Sequence, residues 1–158
     1  MNKIELHPIG TVENGDGGAR IVLDPPFRAG LAGLSGYGHV QVLWWMDRGD
    51  NPAARGTLVE TKPYVKGPEE IGVFALRSPE RPNPLAVTNA AILRVDEASG
   101  TIDLVWLDAF PGSPVLDLKP YTPGFDRVER PVVPAWCRHW PRSCEESAAF
   151  DWAAEFAF

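Results

Sequence analysis

The chain has 158 residues, of which 44% are hydrophobic and 23% are charged, as in a single globular domain with its own core. Its formal net charge of -6 argues against a uniformly basic nucleic-acid-binding surface, although basic groups can be segregated on one face. No apolar run reaches the ~18 residues that cross a bilayer, and the N-terminus lacks a basic-then-apolar signal pattern. We therefore expect a cytoplasmic protein with no membrane partner.

Short strands and turns are predicted along most of the chain, because 15 glycines and 16 prolines disfavour long helices. Residues 37–46 are the most apolar stretch and predict a central strand buried on much of both faces. Residues 27–34 predict a short helix or turn, and a Gly-rich turn is expected over 14–18. Strands are predicted over residues 4–11, 19–23, 37–46, 57–62, 71–76, 86–95 and 101–107, with a hairpin turn over 97–100.

The stretch that follows residue 76 is unusual because Xaa-Pro pairs recur in it. Each proline fixes its own φ, removes a backbone donor and biases the preceding residue towards extended conformations. We therefore expect a stiff, extended loop that presents polar groups with little loss of entropy when a ligand binds. A rigid connection without a ligand is the alternative. The pairs are Ser78-Pro79, Arg81-Pro82 and Asn83-Pro84.

Residues 110–121 form a second informative stretch, in which Asp117 and Lys119 are two positions apart. On a strand, their side chains would point to the same face. Such a pair is either an exposed ion pair contributing less than about 1 kcal/mol or part of a site. His39, at the start of the central strand, is likewise either a structural hydrogen-bonding residue or a member of a site.

The end of the chain predicts a helix over residues 143–158. Ser143 followed by Glu146 is a capping-box pattern, and an apolar stripe of Ala148, Trp152 and Phe156 follows it. The stripe predicts packing on the rest of the domain or on a partner subunit. Arginines clustered before this helix form either a basic rim or a solvated surface: Arg127, Arg130, Arg138 and Arg142.

The cysteines Cys137 and Cys144 flank His139, but nothing nearby completes a set of zinc ligands at regular spacing. We expect free thiols in a reducing compartment and no metal site.

The sequence Arg-Ser-Pro-Glu-Arg-Pro-Asn-Pro at 77–84 closely resembles the signature of the TsaA-like family, which includes tRNA methyltransferase O. Residues 110–121, Phe-Pro-Gly-Ser-Pro-Val-Leu-Asp-Leu-Lys-Pro-Tyr, are similar to a second segment of that family, and Pro-Ile-Gly-Thr-Val at 8–12 to its N-terminus. The resemblance covers roughly residues 4–126. The sequence departs from the family pattern at Gly38, Asp47, Leu85-Ala86 and Ser113, where the family has serine, often histidine, Ile-Gly and threonine.

The resemblance implies a mainly β fold, a small and predominantly antiparallel β-barrel, here with a short C-terminal helix. Consistently, the sequence has no Gly-x-Gly-x-x-Gly after a strand and no alternation of strands and helices. We assign residues 1–142 to the barrel domain and residues 143–158 to a helical tail.

The resemblance also implies an S-adenosylmethionine-dependent methyltransferase. Members of the family are typically homodimers that methylate N6 of threonylcarbamoyladenosine beside the anticodon of tRNA. The acidic net charge and the departures leave two alternatives open, a methyltransferase acting on a small molecule and a non-catalytic module that binds S-adenosylmethionine.

The candidate site residues follow from matching these motifs to the chemistry of methyl transfer. Asp117 is the candidate acceptor for the amine proton, Lys119 its electrostatic neighbour, and Tyr121 a wall or hydrogen-bond donor. Arginine side chains grip a cofactor carboxylate or an RNA phosphate, polar side chains read its edges, and apolar ones pack on its adenine. The candidate cofactor-binding residues are Phe74, Arg77, Ser78, Arg81, Asn83, Leu116 and His39.

Overall fold

The computed structural model describes residues 4–15 and 17–158. By their contacts, these residues fall into two compact units, one up to Asp50 together with Pro84–Arg127, the other Asn51–Asn83 together with Val128–Phe158. We call the first the barrel unit and the second the ribbon unit. Residue 16 of the predicted turn 14–18 and residues 1–3 of the predicted barrel domain lie outside the described residues.

The barrel unit is built around a closed antiparallel barrel. The strands of the chain are β1 (Gly10–Gly15), β2 (Gly18–Leu23), β3 (His39–Trp45), β4 (Val59–Thr61), β5 (Glu70–Gly72), β6 (Leu85–Asp96), β7 (Thr101–Leu104) and β8 (Pro114–Pro120). Around the barrel the order is β1-β2-β7-β6-β3-β8, and each neighbouring pair is antiparallel. In the ribbon unit, β4 and β5 pair antiparallel. The predicted mainly β fold with an antiparallel barrel is confirmed.

The helices of the described residues are short, and prolines and glycines interrupt most of the helical stretches before residue 142. The α-helices are α1 (Pro52–Gly56), α2 (Pro123–Asp126) and α3 (Cys144–Ser147). The 3-10 turns are Pro25–Leu31, Leu34–Gly36, Asp47–Gly49, Val73–Ala75, Ala135–Cys137 and Trp152–Ala154. None of these helices is long and apolar enough to cross a membrane.

The barrel core is filled by alternate residues of the strands, as the two-residue period of a strand requires. In β3, Val40, Val42 and Trp44 are buried, whereas the intervening side chains are only half-buried or exposed. The predicted central strand is therefore confirmed, but its second face is covered less than expected. Opposite strands complete the core with Val12, Ile21, Leu23, Ala90, Ile102, Leu104 and Val115.

The hairpin between β6 and β7 follows the predicted turn over residues 97–100. The Asp96 carboxylate accepts hydrogen bonds from the backbone N–H groups of Ala98 and Ser99, at 3.1 and 3.2 Å. Gly100 has a φ of +77°, in the left-handed region that favours glycine. The backbone hydrogen bond from Ser99 is the main reason that the pKa of Asp96 lies below its usual range.

The first predicted strand, residues 4–11, is placed wrongly. β1 runs from Gly10 to Gly15, because its pairing with β2 continues through a tight hairpin as far as Gly15 and Gly18. Before β1, Pro8 cannot donate to a ladder, and Ile4 is 84% exposed, so this segment has no strand-like burial.

The predicted strand over residues 71–76 is also only partly correct. β5 ends at Gly72, and a 3-10 turn over Val73–Ala75 follows it. The backbone turns here because the carbonyl groups of Val73 and Leu76 both point at the guanidinium group of Arg81.

The predicted helix over residues 143–158 is a single turn. The cap is confirmed, since Ser143 Oγ accepts the Glu146 N–H at 3.2 Å. The helix does not continue, because the Asp151 carboxylate caps a separate turn by accepting the Ala154 N–H at 3.2 Å. From this aromatic stripe, Phe156 instead packs on Tyr64, and the two rings stack with their centroids 5.7 Å apart.

The domain boundary at residue 142 stays a prediction, and the C-terminal segment makes contacts inside the ribbon unit. Tyr64 forms an isolated antiparallel bridge with Phe156, and the Val65 N–H donates to the Glu155 carbonyl at 2.9 Å. These contacts bring the C-terminal segment together with residues 51–83. Cys137 is buried and Cys144 is exposed, and neither forms a disulfide with a described residue.

Candidate functional site

The loop after β5 is organised by Arg81. Its Nε donates to the Ser78 carbonyl at 2.7 Å, and its Nη2 donates to the carbonyl groups of Val73, at 2.8 Å, and Leu76. Three backbone acceptors therefore hold this guanidinium within its own loop. Arg81 therefore holds the loop in position. A cofactor carboxylate or an RNA phosphate, which Arg81 is predicted to bind, would have to compete with these backbone carbonyl groups.

Of the other candidate residues in this loop, one is bonded to β4 and the rest are exposed to solvent. The Ser78 hydroxyl donates to the Glu60 carboxylate, which ties the loop to β4. The Phe74 side chain is 86% exposed, while Arg77 and Asn83 are also exposed. An aromatic ring, a guanidinium and an amide thus face solvent on a stretch whose backbone is fixed by the hydrogen bonds of Ser78 and Arg81.

In the barrel unit, the predicted pair on β8 is present. Lys119 Nζ donates to Asp117 Oδ2 at 2.7 Å, and both side chains are about half-exposed, at 57% and 48%. The hydrogen bond to Asp117 raises the pKa of Lys119, so Lys119 is an ammonium at neutral pH and cannot accept a proton there. Asp117 Oδ1 has no hydrogen-bond partner among the residues described, 4–15 and 17–158.

A β-bulge lies immediately before this pair. Leu43 of β3 pairs with Asp117, but Trp44 pairs with Val115, so Leu116 is the extra residue on β8. Bulges bend a strand and change where the following side chains point. Leu116 is half-buried and Asp117 begins the outward-facing pair.

His39 and Tyr121 lie side by side at the end of β8. The Tyr121 N–H donates to the His39 carbonyl at 3.1 Å, and the two rings meet edge to face at 6.2 Å. His39 is exposed. The barrel unit therefore brings together His39, Leu116, Asp117, Lys119 and Tyr121, and the ribbon unit holds Phe74, Arg77, Ser78, Arg81 and Asn83.

A cleft of about 540 Å³ opens next to the pair on β8. Asp117, Leu118 and Pro120 line it from β8, and Phe27, Leu31 and Tyr37 line it from the segment between β2 and β3. Sequence reasoning missed Phe27 and Tyr37, which are 40% and 44% exposed, because it assigned Phe27 to a short helix or turn and Tyr37 to the start of the central strand. Two aromatic residues beside the interrupted, Gly-rich turn are the signal that could have found them.

The departures from the family pattern are accommodated inside the barrel unit. Ala86 pairs with Trp44 and packs against the core, so its methyl group points into the barrel. Asp47 accepts a hydrogen bond from the buried Ser113 hydroxyl at 2.9 Å. These departures therefore change contacts within the barrel unit rather than in the ribbon unit's loop.

No group of three or more His, Cys, Asp or Glu side chains is placed to hold a metal ion within the described part of the chain. The closed antiparallel barrel, with a carboxylate–ammonium pair beside a cleft, defines a β-barrel domain with a site for a small ligand or substrate group. The family model of the tRNA-methyltransferase O N-terminal domain matches residues 3–127, and the chain belongs to this family. Residues 128–158 lie outside the match.

Relatives and solved structures agree with this assignment. An S-adenosyl-L-methionine-binding protein of Archaeoglobus fulgidus is 37% identical over 115 residues, which are 73% of this chain and 77% of the relative. The human tRNA (adenine(37)-N6)-methyltransferase is 33% identical over 104 residues, 66% of this chain and 22% of the human protein. A crystal structure of TrmO from Pseudomonas aeruginosa has a TM-score of 0.65 at 23% identity, covering 85% of this chain and 62% of that one. The predicted family is confirmed, and this chain corresponds to part of the longer members.

Proposed function

We propose that this protein is an S-adenosylmethionine-dependent methyltransferase that modifies N6 of adenosine 37 in tRNA, in its threonylcarbamoyl form. The observation that carries the proposal is the family match over residues 3–127, which includes both the Pro-rich loop and the Asp117–Lys119 segment. The human relative is named for this methyl transfer, and other relatives are named for binding S-adenosylmethionine.

The exposed residues of the ribbon unit's loop fit the cofactor by the chemistry of their side chains. A guanidinium such as Arg77 pairs with a carboxylate, an aromatic ring such as Phe74 packs on adenine, and an amide such as Asn83 reads polar edges. The Ser78–Glu60 hydrogen bond and the Arg81 contacts hold the backbone that carries them. Bound S-adenosylmethionine supplies an electrophilic methyl group on its sulfonium.

The barrel unit supplies the groups suited to the acceptor. The cleft of about 540 Å³ is large enough for a nucleobase and part of its substituent. The amine of adenine is a weak nucleophile, so positioning carries most of the catalysis. Asp117 lines the cleft, and its Oδ1 has no hydrogen-bond partner among the described residues. We assign it the role of accepting the amine proton. Lys119 holds Oδ2 and keeps the carboxylate oriented.

The assembly and location are part of the same proposal. We place the protein in the cytoplasm, as a homodimer that acts on tRNA without a metal ion. A mass in solution of about twice 17.3 kDa by light scattering would support the dimer, and a mass of 17.3 kDa would refute it.

The test of function is methyl transfer to tRNA by the wild-type chain and by the Asp117→Asn variant. Asparagine keeps the shape and a hydrogen bond to Lys119 but removes the proton acceptor, so turnover should fall about 100-fold or more. Binding of S-adenosylmethionine, measured by calorimetry, should be unchanged. Equal turnover of the two proteins would remove Asp117 from this role.

The same assay separates the other functions that the sequence leaves open. Turnover that requires tRNA with the threonylcarbamoyl group supports the proposal. Turnover without tRNA would indicate a small-molecule acceptor, and cofactor binding without turnover on any acceptor would indicate a binding module.

A further inference from the structure

The ribbon unit has a second cleft, of about 570 Å³, in the part of the chain that the family match does not include. Residues from the segment 138–150 form it. Those that matter for its chemistry are Arg138, His139, Trp140, Arg142, Glu146 and Phe150. The function proposed above gives this cleft no role.

The wall of the cleft is rigid because it is anchored to a buried carboxylate. Trp140 Nε1 donates to Glu155 Oε2 at 3.0 Å, and His139 Nε2 lies 2.8 Å from Glu155 Oε1. The Trp140 ring also meets the Tyr64 ring edge to face at 4.9 Å. His139 and Trp140 are therefore held in place before any ligand binds, which lowers the entropy lost on binding.

The cleft carries charged side chains of both signs, with two guanidinium groups and one carboxylate in its lining. Glu155 is 7% exposed and points inwards, and the Glu146 carboxylate accepts the backbone N–H of Arg142 at 2.8 Å. Arg138 and Arg142 are exposed, and neither guanidinium has a hydrogen bond or ion pair with any described residue. Lys66 is already engaged, since its Nζ forms an ion pair with Glu155 Oε1 at 3.8 Å and lies 3.3 Å from His139 Nε2. Two exposed guanidinium groups thus flank the cleft, which also holds the exposed carboxylate of Glu146.

We propose that this cleft binds the phosphate backbone of the substrate RNA. The proposal rests on the function proposed above, and it adds where the RNA is held. Arginine guanidinium groups bind phosphate oxygens bidentately, and single-stranded nucleic acid is bound by such cations next to aromatic side chains. Trp140 and the half-buried Phe150 supply the aromatic surface beside Arg138 and Arg142.

The test compares two double variants that remove the same charge. Arg138→Ala with Arg142→Ala removes the guanidinium groups of the cleft, and Arg127→Ala with Arg130→Ala removes two exposed arginines that do not line it. Affinity for unmodified tRNA is measured by fluorescence anisotropy over a range of salt concentrations, with S-adenosylmethionine affinity measured in parallel. The cleft variant should bind tRNA about tenfold more weakly, with a salt slope reduced by about 1.5, because two phosphate contacts are lost. The control and the cofactor affinity should not change.

The outcomes separate this inference from the proposed function. An equal loss of affinity in both double variants would mean that only net charge matters, and would overturn the inference. A wild-type chain that binds no tRNA would overturn it as well, as would a cleft variant that loses affinity for anionic phospholipid vesicles but not for tRNA. If the cleft variant binds and methylates tRNA as well as the wild type, the cleft does not bind RNA, but the proposed methyltransferase function is still supported. If the cleft variant binds tRNA more weakly and the wild-type chain methylates no tRNA, the cleft binds RNA but the proposed function is wrong.

Discussion

At the scale of single residues, Phe74 and Arg81 differ in how accessible they are to a ligand. The sequence puts Phe74 and Arg81 in the same group of cofactor-binding residues. In the structure, Arg81 is engaged by carbonyl groups of its own loop, whereas Phe74 is 86% exposed. A sequence motif names the residue types of a site, but backbone acceptors decide which of them are available to a ligand.

We predict that Phe74→Ala weakens S-adenosylmethionine binding about tenfold, because an aromatic face against adenine is lost. The stability of the fold should change by less than about 0.5 kcal/mol, since an exposed ring makes few contacts. Calorimetry and urea unfolding measure the two effects. Phe125→Ala is the matched control, because Phe125 is 92% exposed in the barrel unit, outside the loop. Equal affinity of the two variants would show that Phe74 does not touch the cofactor.

At the scale of elements, the β1–β2 pair depends on a glycine. A Cβ at Gly10 would lie 2.2 Å from the Val22 carbonyl oxygen and 2.8 Å from the Leu23 Cα. We therefore predict that Gly10→Ala destabilises the protein by about 1–3 kcal/mol, since backbone atoms of the paired strand must move. Urea unfolding measures this, with Gly36→Ala as the control, because an added Cβ there meets nothing within 4 Å. A Gly10→Ala protein as stable as the control would contradict the close approach.

The C-terminal segment should be sensitive to acid. The hydrogen bond from Trp140, followed by that from His139, lowers the pKa of Glu155. A carboxylate whose pKa is lowered by folding stabilises the fold above the unfolded pKa of about 4.3 and loses that contribution as the pH falls through its folded pKa. We predict that Glu155→Gln is less stable than wild type at pH 7 and that the difference shrinks below about pH 4. Thermal unfolding followed by Trp fluorescence measures the difference in stability at each pH. A difference that does not depend on pH would show that the negative charge of Glu155 does not stabilise the fold.

The elements also show which sequence signals were sufficient. The alternation of apolar and polar residues predicts the start of β7, where Ile102 and Leu104 are buried, and the apolar and β-branched residues of 37–46 and 86–95 predict β3 and β6. The stripe of Trp152 and Phe156 fits a helical period equally well, yet these rings pack with Tyr64 and Trp140. A periodic stripe indicates burial, but it does not say which distant residue provides the partner.

At the scale of the whole molecule, the motifs predict the family and the barrel, but not how the chain is divided. The Pro-rich loop and Asp117 belong to different compact units, and the second unit is assembled from two separate segments. Local patterns cannot reveal the Tyr64–Phe156 bridge, because nothing in either segment requires the other. The roles assigned to the site residues therefore stay predictions. The candidate residues of the Pro-rich loop and those of the barrel unit are each described within their own unit.

The discontinuous ribbon unit has a consequence for synthesis on the ribosome. Residues 51–83 emerge before strands β6 to β8, but Phe156 and Glu155, which pair with Tyr64 and Val65, are translated only after the last barrel strand. While the chain grows, the segment with the Pro-rich loop thus lacks its native neighbours. Its closure should come only after residue 156 has left the exit tunnel, whereas β1 and β2 are neighbours in sequence and can pair much earlier. The order of translation therefore keeps the nascent loop unfinished until the barrel strands have all been made.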